Sequence, residues 1–493
     1  MKKDHSKTPF FTKLKEYGTS NVTPFDVPGH KLGRKENDLT KFMGKEIYQL
    51  DANAPRGLDT LSKPTGVIME AQALMADAFD ADKAYFMING TSGAILAMIM
   101  TTVKAKEKII LPRNVHKSVI NALIFSGAVP IFVKPDIDQN LGIANGMSYE
   151  AFEKALEENP DSKAVLIINP TYFGVTSDIK KITEKAHEYG LVVLADEAHG
   201  AQFYFSKELP ISAMEAGCDL SALSIHKTAT SLTQSSVLLL KGDRVDENKL
   251  QSTINMFHST SPSGVLMASL DVARKQMVME GEAGILNALN LKNKYLNRLK
   301  NIKGIEILDK AYAEARGFPD YDATKLVIKV SQLGITGFDC YRFLADKYKI
   351  QLELAETYLV LAIITMATEE EDFIKLCEAL EELSQVYYGI KEPLDKIKFN
   401  YDFPDSFCRP RVAYHAPYKI IPLADSENEI SAESIMIYPP GIPMLIPGEY
   451  ITEDFLNDLA FYQENGSVIF SELNNGYIKV VDQENWLWED KDE

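Results

Sequence analysis

Between about residue 70 and residue 240, short apolar runs alternate with helix-like stretches, and this alternation narrows the possible folds more than any other feature. The runs fall at 84–88, 108–111, 129–133, 164–168, 191–195, 221–225 and 236–240. Most are continuously apolar, as expected for strands covered by helices on both faces. The pattern predicts an α/β fold with a doubly wound, mostly parallel sheet in a large domain. Functional groups are then expected beyond the carboxyl ends of the strands. A helix is predicted after Gly93 through Met100, and a long one over about 266–300. Strand-like runs at 326–330, 351–354 and 359–365 surround helix-like segments at 338–348 and 369–387, which predicts a smaller α/β C-terminal domain. The expected division is an N-terminal arm with one short helix over 1–50, a large domain over 51–310 and C-terminal domain material over 311–493. An irregular linker is expected near 388–425. The segment 438–443 carries too much Pro and Gly for a regular element.

Composition excludes several function classes. The chain has 493 residues and a formal net charge of −18, which argues against nucleic acid as a partner because phosphate contacts need basic surface. Cys218, Cys340, Cys377 and Cys408 are scattered without zinc-ligand or CxxC spacing, so reduced thiols are expected. The first residues lack the apolar stretch of a signal peptide, and no apolar run approaches a membrane span. A cytoplasmic protein without a membrane partner is the expectation.

Chemistry concentrates in two short segments. Asp196 ends an apolar run and is followed by Glu197, Ala198, His199 and Gly200; Ser224, Ile225, His226, Lys227 and Thr228 follow a later run. A lysine amine can form a Schiff base with the aldehyde of pyridoxal 5'-phosphate (PLP). A carboxylate can pair with the ring nitrogen and keep the ring electron-poor. Lys227 taken alone would usually be a solvated surface residue. Thr91, Ser92 and Gly93 open the helix predicted after the first run. Their N–H groups and hydroxyls suit a phosphate, or simply start an ordinary capped helix. Ser224 and His226 could reach the same phosphate, or His226 the substrate; otherwise they are a polar strand end. His116 could lie against the cofactor ring or cap a helix. His199 could face cofactor or substrate, or sit in a plain loop. No metal site is expected, because Asp196, Glu197 and His199 lack HExxH spacing. The sequence has neither a GxSxG elbow nor a GxGxxG loop.

With these residues assembled, the chain resembles the ornithine/lysine/arginine decarboxylases, which are fold-type I PLP enzymes, and is most similar to their short bacterial branch. The resemblance rests on Phe25 to Lys31 with its PGHK, Asn89 to Gly93, Arg113 to Ser118, Asn169 to Gly174, Asp196 to Gly200, Ser224 to Thr228, and Tyr438 through Glu449 with its YPPGIP. It implies PLP bound covalently to Lys227, with Asp196 on the ring nitrogen and His116 stacked on the ring. Thr91, Ser92, Gly93, Ser224 and His226 would surround the phosphate. The implied reaction is decarboxylation of a basic amino acid, first L-arginine to agmatine and CO2, with lysine or ornithine as alternatives giving cadaverine or putrescine. Lys227, His199 or His226 would return the proton to Cα. The substrate cation calls for an acidic pocket end. Asp26 and Glu449 are the candidates, with His30 of the same arm beside them. Asp26 departs from the histidine that some arginine-decarboxylating relatives carry, which leaves the choice of substrate open. A homodimer or larger homo-oligomer with its active site at the subunit interface is also implied. The competing readings are a PLP aminotransferase or aldolase, and a non-catalytic binding relative. A transaminase would need an arginine fork, and the motif-associated Arg113 reads as structural.

Overall fold

The computed structural model describes residues 3–394, 404–438, 442–473 and 476–486. Two compact units emerge, Met1–Thr101 with Val192–Leu286, and Thr102–Leu191 with Asn287–Glu493.

In the first unit, strand Leu220–Leu223 pairs in parallel with Val192–Asp196, Ala222 lying opposite Asp196. Its other edge pairs antiparallel with Ser236–Leu240, which in turn pairs antiparallel with Lys83–Met87. The central strands are buried along nearly their whole length, which accounts for their unbroken apolar sequences. Lys83–Met87 turns at Asn89 into the helix Gly90–Thr102. Gly90 makes this turn with φ +77°, a left-handed conformation that only glycine adopts without strain, and its N–H donates to the Gln234 carbonyl at 3.0 Å.

The expected arm contains three helices rather than one: Pro9–Gly18, Asp38–Met43 and Glu46–Gln49. The first is held by a distant partner. The buried Asp271 carboxylate accepts the Phe10 and Phe11 N–H groups at 3.0 and 3.2 Å. Arg274, paired with Asp271 at 2.9 Å, donates to the His5 and Lys7 carbonyls.

In the second unit, Lys108–Pro112 lies between Val129–Val133 and Ala164–Ile168, both parallel to it. The predicted smaller α/β layer is an antiparallel sheet in the order Glu306–Ile307, Lys325–Lys329, Leu359–Ile363, Leu354–Ala355. Helices Gly337–Tyr348 and Glu370–Tyr387 pack on it through a core that includes Ile328, Leu344, Val360 and Leu380. The stretch expected to be irregular carries a helix, Pro410–His415, and a strand, Tyr418–Pro422, which pairs with Tyr477–Val481. Strands Ile435–Tyr438 and Ile442–Leu445 flank the Pro/Gly-rich motif, so regular structure reaches both of its sides; residues 439–441 lie outside the described residues. Among the described residues, no helix is long and apolar enough to cross a membrane and no His/Cys/Asp/Glu group could hold a metal. None of the four cysteines is in a disulfide; Cys218, Cys340 and Cys377 are buried and Cys408 is half-buried.

Candidate active site

Lys227 is not at a strand end, as its sequence context suggests. The strand Leu220–Leu223 stops short, Ser224 turns the chain, and Ile225–Thr228 forms one helical turn closed by the Ala229 N–H on the Ile225 carbonyl at 2.9 Å. The turn satisfies backbone groups that a continuing strand would have left without a ladder partner. It also sets Ser224 and Lys227 three residues apart, hence on one side of the turn.

Val192–Asp196 delivers Asp196 at its carboxyl end, buried, with its Oδ1 accepting the Ala198 N–H at 3.1 Å. Burial pushes this carboxyl above the usual carboxylate range; the Ala198 N–H and then the Lys227 charge oppose that push. Three residues on, His199 is also buried, and its Nε2 lies 3.1 Å from Lys227 Nζ. Asp196, His199 and Lys227, expected together from sequence, are therefore brought together. His226 Nδ1 sits 2.8 Å from the Ser235 carbonyl, which can only accept, so Nδ1 carries the proton. Burial holds this imidazole below its ordinary pKa, the Ser235 carbonyl counteracting and the Lys227 charge reinforcing, so it is neutral at pH 7.

A hydroxyl cluster includes Ser224, the residue that opens the Lys227 turn. Thr91 Oγ1 lies 2.5 Å from Ser224 Oγ and 2.8 Å from Ser236 Oγ, all three buried. Thr91, the exposed Ser92 and Gly93 occupy the first turn of Gly90–Thr102, where helix N–H groups lack intrahelical acceptors. Ser236 escaped sequence reading. Nothing in its neighbourhood marks it, and only the antiparallel register that sets it against Met87 brings it to Thr91. Glu197 and Tyr204 were also missed, although Glu197 stands inside the Asp196–Gly200 motif.

The remaining candidates make other contacts. His116 belongs to the second unit and caps Lys117–Ser126, its Nδ1 accepting the Ser118 N–H at 3.2 Å; this is the capping role its sequence left open. Asp26 is exposed, and its backbone carbonyl accepts from Lys31 Nζ. His30 Nε2 lies 3.1 Å from Asp51 Oδ2, with its ring 4.4 Å from that of Tyr48. The Glu449 carboxylate is occupied: Arg113 donates to it through Nη2 at 2.8 Å and Nε at 3.2 Å, and the Ile446 N–H adds 2.9 Å. Both side chains are at most 1% exposed. Burial raises the Glu449 carboxyl and Arg113 opposes the rise. The expectation that Glu449 receives a substrate cation meets a carboxylate already matched by a guanidinium.

An amine, a buried carboxylate and a hydroxyl cluster at a helix start are the groups that a phosphorylated aldehyde with a basic ring nitrogen requires. The sequence profile of the Orn/Lys/Arg decarboxylase major domain matches residues 8–372, and that of the family's C-terminal domain matches 399–467. An arginine decarboxylase of Bacillus subtilis is 42% identical over 95% of this chain and 94% of its own length. One of Halalkalibacterium halodurans is 42% identical over 93% of each. The crystal structure of the Francisella novicida lysine decarboxylase shares the fold, with a TM-score of 0.84 at 22% identity over 96% of this chain and 81% of that one. On the extent of the profile match and the near end-to-end identity, the chain belongs to the Orn/Lys/Arg decarboxylase family.

Proposed function

We propose that this enzyme binds PLP through Lys227 and removes CO2 from a basic amino acid, with L-arginine the preferred substrate. The observation that carries the PLP reading is Lys227 Nζ poised 3.1 Å from His199 in a site where its charge also acts on the buried Asp196. The fit is chemical: Asp196, raised by burial, gains from a cationic partner, and a protonated ring nitrogen is one. Bound there, PLP supplies an electron-accepting ring for the pair released as CO2 departs. Lys227 Nζ would hold the cofactor at its aldehyde, and Asp196 would keep the ring-nitrogen proton in place. Thr91, Ser224 and Ser236, with Ser92 and the N–H groups at Thr91 and Gly93, bind the phosphate. His199 orients Nζ and exchanges a proton with it, which places either group to protonate Cα. His226, tied to Ser235, steadies the Ser224–Lys227 turn. His116 stacking on the ring is part of the same proposal. Asp26 and His30 are the proposed contacts to substrate; for Glu449 we propose a structural tie instead.

The choice of arginine follows the two arginine decarboxylases at 42% identity. The aminotransferase reading loses support because Arg113 is engaged by Glu449. We also propose a homodimer or larger assembly in the cytoplasm. Phe25 is 93% exposed and Phe42 is 90% exposed, both in the expected arm, and such side chains favour cover by another copy. The division into 1–50, 51–310 and 311–493 is our proposal too; the profile matches break between 372 and 399, beside the expected linker.

The test measures CO2 release from arginine, lysine and ornithine side by side. Arginine should lead in kcat/KM by more than about tenfold, equivalent to roughly 1.4 kcal/mol of discrimination. A lead for lysine or ornithine would overturn the substrate. Lys227→Ala should abolish turnover and the absorbance near roughly 420 nm that a lysine-bound cofactor gives; an active Lys227→Ala would overturn the site.

A further inference from the structure

We propose that Glu197 is a positioning residue for this site: its buried carboxylate fixes the spacing between the strand that carries Asp196 and the strand that leads to Lys227. The inference rests on the function proposed above. Glu197 follows Asp196 at the end of Val192–Asp196, so the two side chains leave the strand in opposite directions. Asp196 enters the site and Glu197 enters the core, where it is fully buried. Three donors from three places meet its carboxylate. Ala213 N–H reaches Oε1 at 2.8 Å, and the Tyr204 hydroxyl and Ser221 Oγ reach Oε2 at 2.6 and 2.7 Å. Tyr204 lies on the short helical turn Ala201–Phe205, and Ser221 on Leu220–Leu223, which runs into the Ser224–Lys227 turn.

The backbone at Glu197 is tied to the same neighbours. Its N–H donates to the Ala222 carbonyl at 3.0 Å, and its carbonyl accepts from Gly200 N–H at 2.9 Å, closing the loop that carries His199. Hydrogen bonds to an ionised carboxylate are stronger than neutral ones, and burial removes competing water. One side chain thus links the Asp196 strand, the His199 loop and the strand before Lys227. Losing it would move Asp196 relative to the ring nitrogen while leaving every group that touches cofactor or substrate intact.

The experiment uses PLP-loaded full-length protein with Glu197→Gln, Ser221→Ala and Tyr204→Phe, and Asp196→Asn for reference. It reads the pH midpoint of the bound-cofactor absorbance change, kcat and KM separately, and thermal midpoint. Glu197→Gln should lower kcat on the order of ten- to a hundredfold, as a small misplacement of reacting groups does, with KM within about twofold. Its absorbance midpoint should shift in the direction that Asp196→Asn shifts it, and the two milder variants should fall between it and wild type. A lowered thermal midpoint with unchanged kcat and absorbance midpoint would overturn the proposal, leaving Glu197 a fold-stabilising group. If Glu197→Gln does not accumulate, Ser221→Ala and Tyr204→Phe decide by the same criterion. A wild-type protein that takes up no PLP would sink the proposed function itself, a separate result.

Discussion

Asp196 and Lys227 show how the site divides labour between charge and burial. Asp196 is costly to ionise where it stands, and Lys227 supplies only part of the compensation. Asp196→Asn, which removes the charge and keeps the shape, should retain the proposed PLP and lose most of kcat; an unchanged rate would take Asp196 out of its proposed electron-sink role. His258 invites a pH test. Both of its ring nitrogens are buried without a hydrogen bond among the described residues, and burial pushes its pKa down to about 4. A folded-state value below the unfolded value of about 6.5 means that the unfolded chain binds the proton more tightly, so stability falls with pH below that value. Between pH 7 and pH 5 the loss from this residue should be on the order of 2 kcal/mol. Urea denaturation at the two pH values should show it, and His258→Phe should flatten the difference. Lys227, Asp196 and His199 were legible in the sequence because each sits in a short motif at the end of an apolar run. Ser236 was not, because its partner Thr91 is distant along the chain.

At the scale of elements, strand positions were readable because burial on both faces imposes uninterrupted apolar sequence. The end of Leu220–Leu223 was not, because one further apolar residue, Ile225, is buried in a helical turn as readily as in a strand. The N-terminal helices were undercounted for a related reason. Pro9–Gly18 takes its N-terminal acceptor from Asp271 rather than from its own N-cap, Thr8, which makes no side-chain cap. Removing Asp271 leaves Arg274 buried without its carboxylate. Asp271→Ala should therefore cost roughly 3–5 kcal/mol in urea denaturation and expose the segment before Pro9 to protease. Asp271→Asn, which keeps one acceptor for Phe10 N–H, should cost less.

Across the molecule, long-range ion pairs decide how motifs are used. Arg113 and Glu449 both belong to stretches that mark the family, and their fully buried pairing spends both. Glu449→Ala should destabilise the protein by roughly 3–5 kcal/mol, because it strands a buried guanidinium. The double variant Arg113→Met/Glu449→Leu should recover much of that loss. A specific rise in KM for the substrate amino acid, without loss of stability, would instead return Glu449 to the substrate pocket. The C-terminal pairing of Tyr418–Pro422 with Tyr477–Val481 belongs to the same scale, since neither segment signals its partner.

The sequence by itself determined the α/β class and the family and singled out Lys227 and Asp196, because hydrophobic periodicity and short motifs are local properties. The tertiary structure alone decided which polar groups are shared: Ser236 with Thr91, Glu197 with Tyr204 and Ser221, Arg113 with Glu449. A buried polar group must find a partner wherever the fold brings one within about 3 Å, and that distance is set by strand register and packing, which no local stretch of sequence encodes.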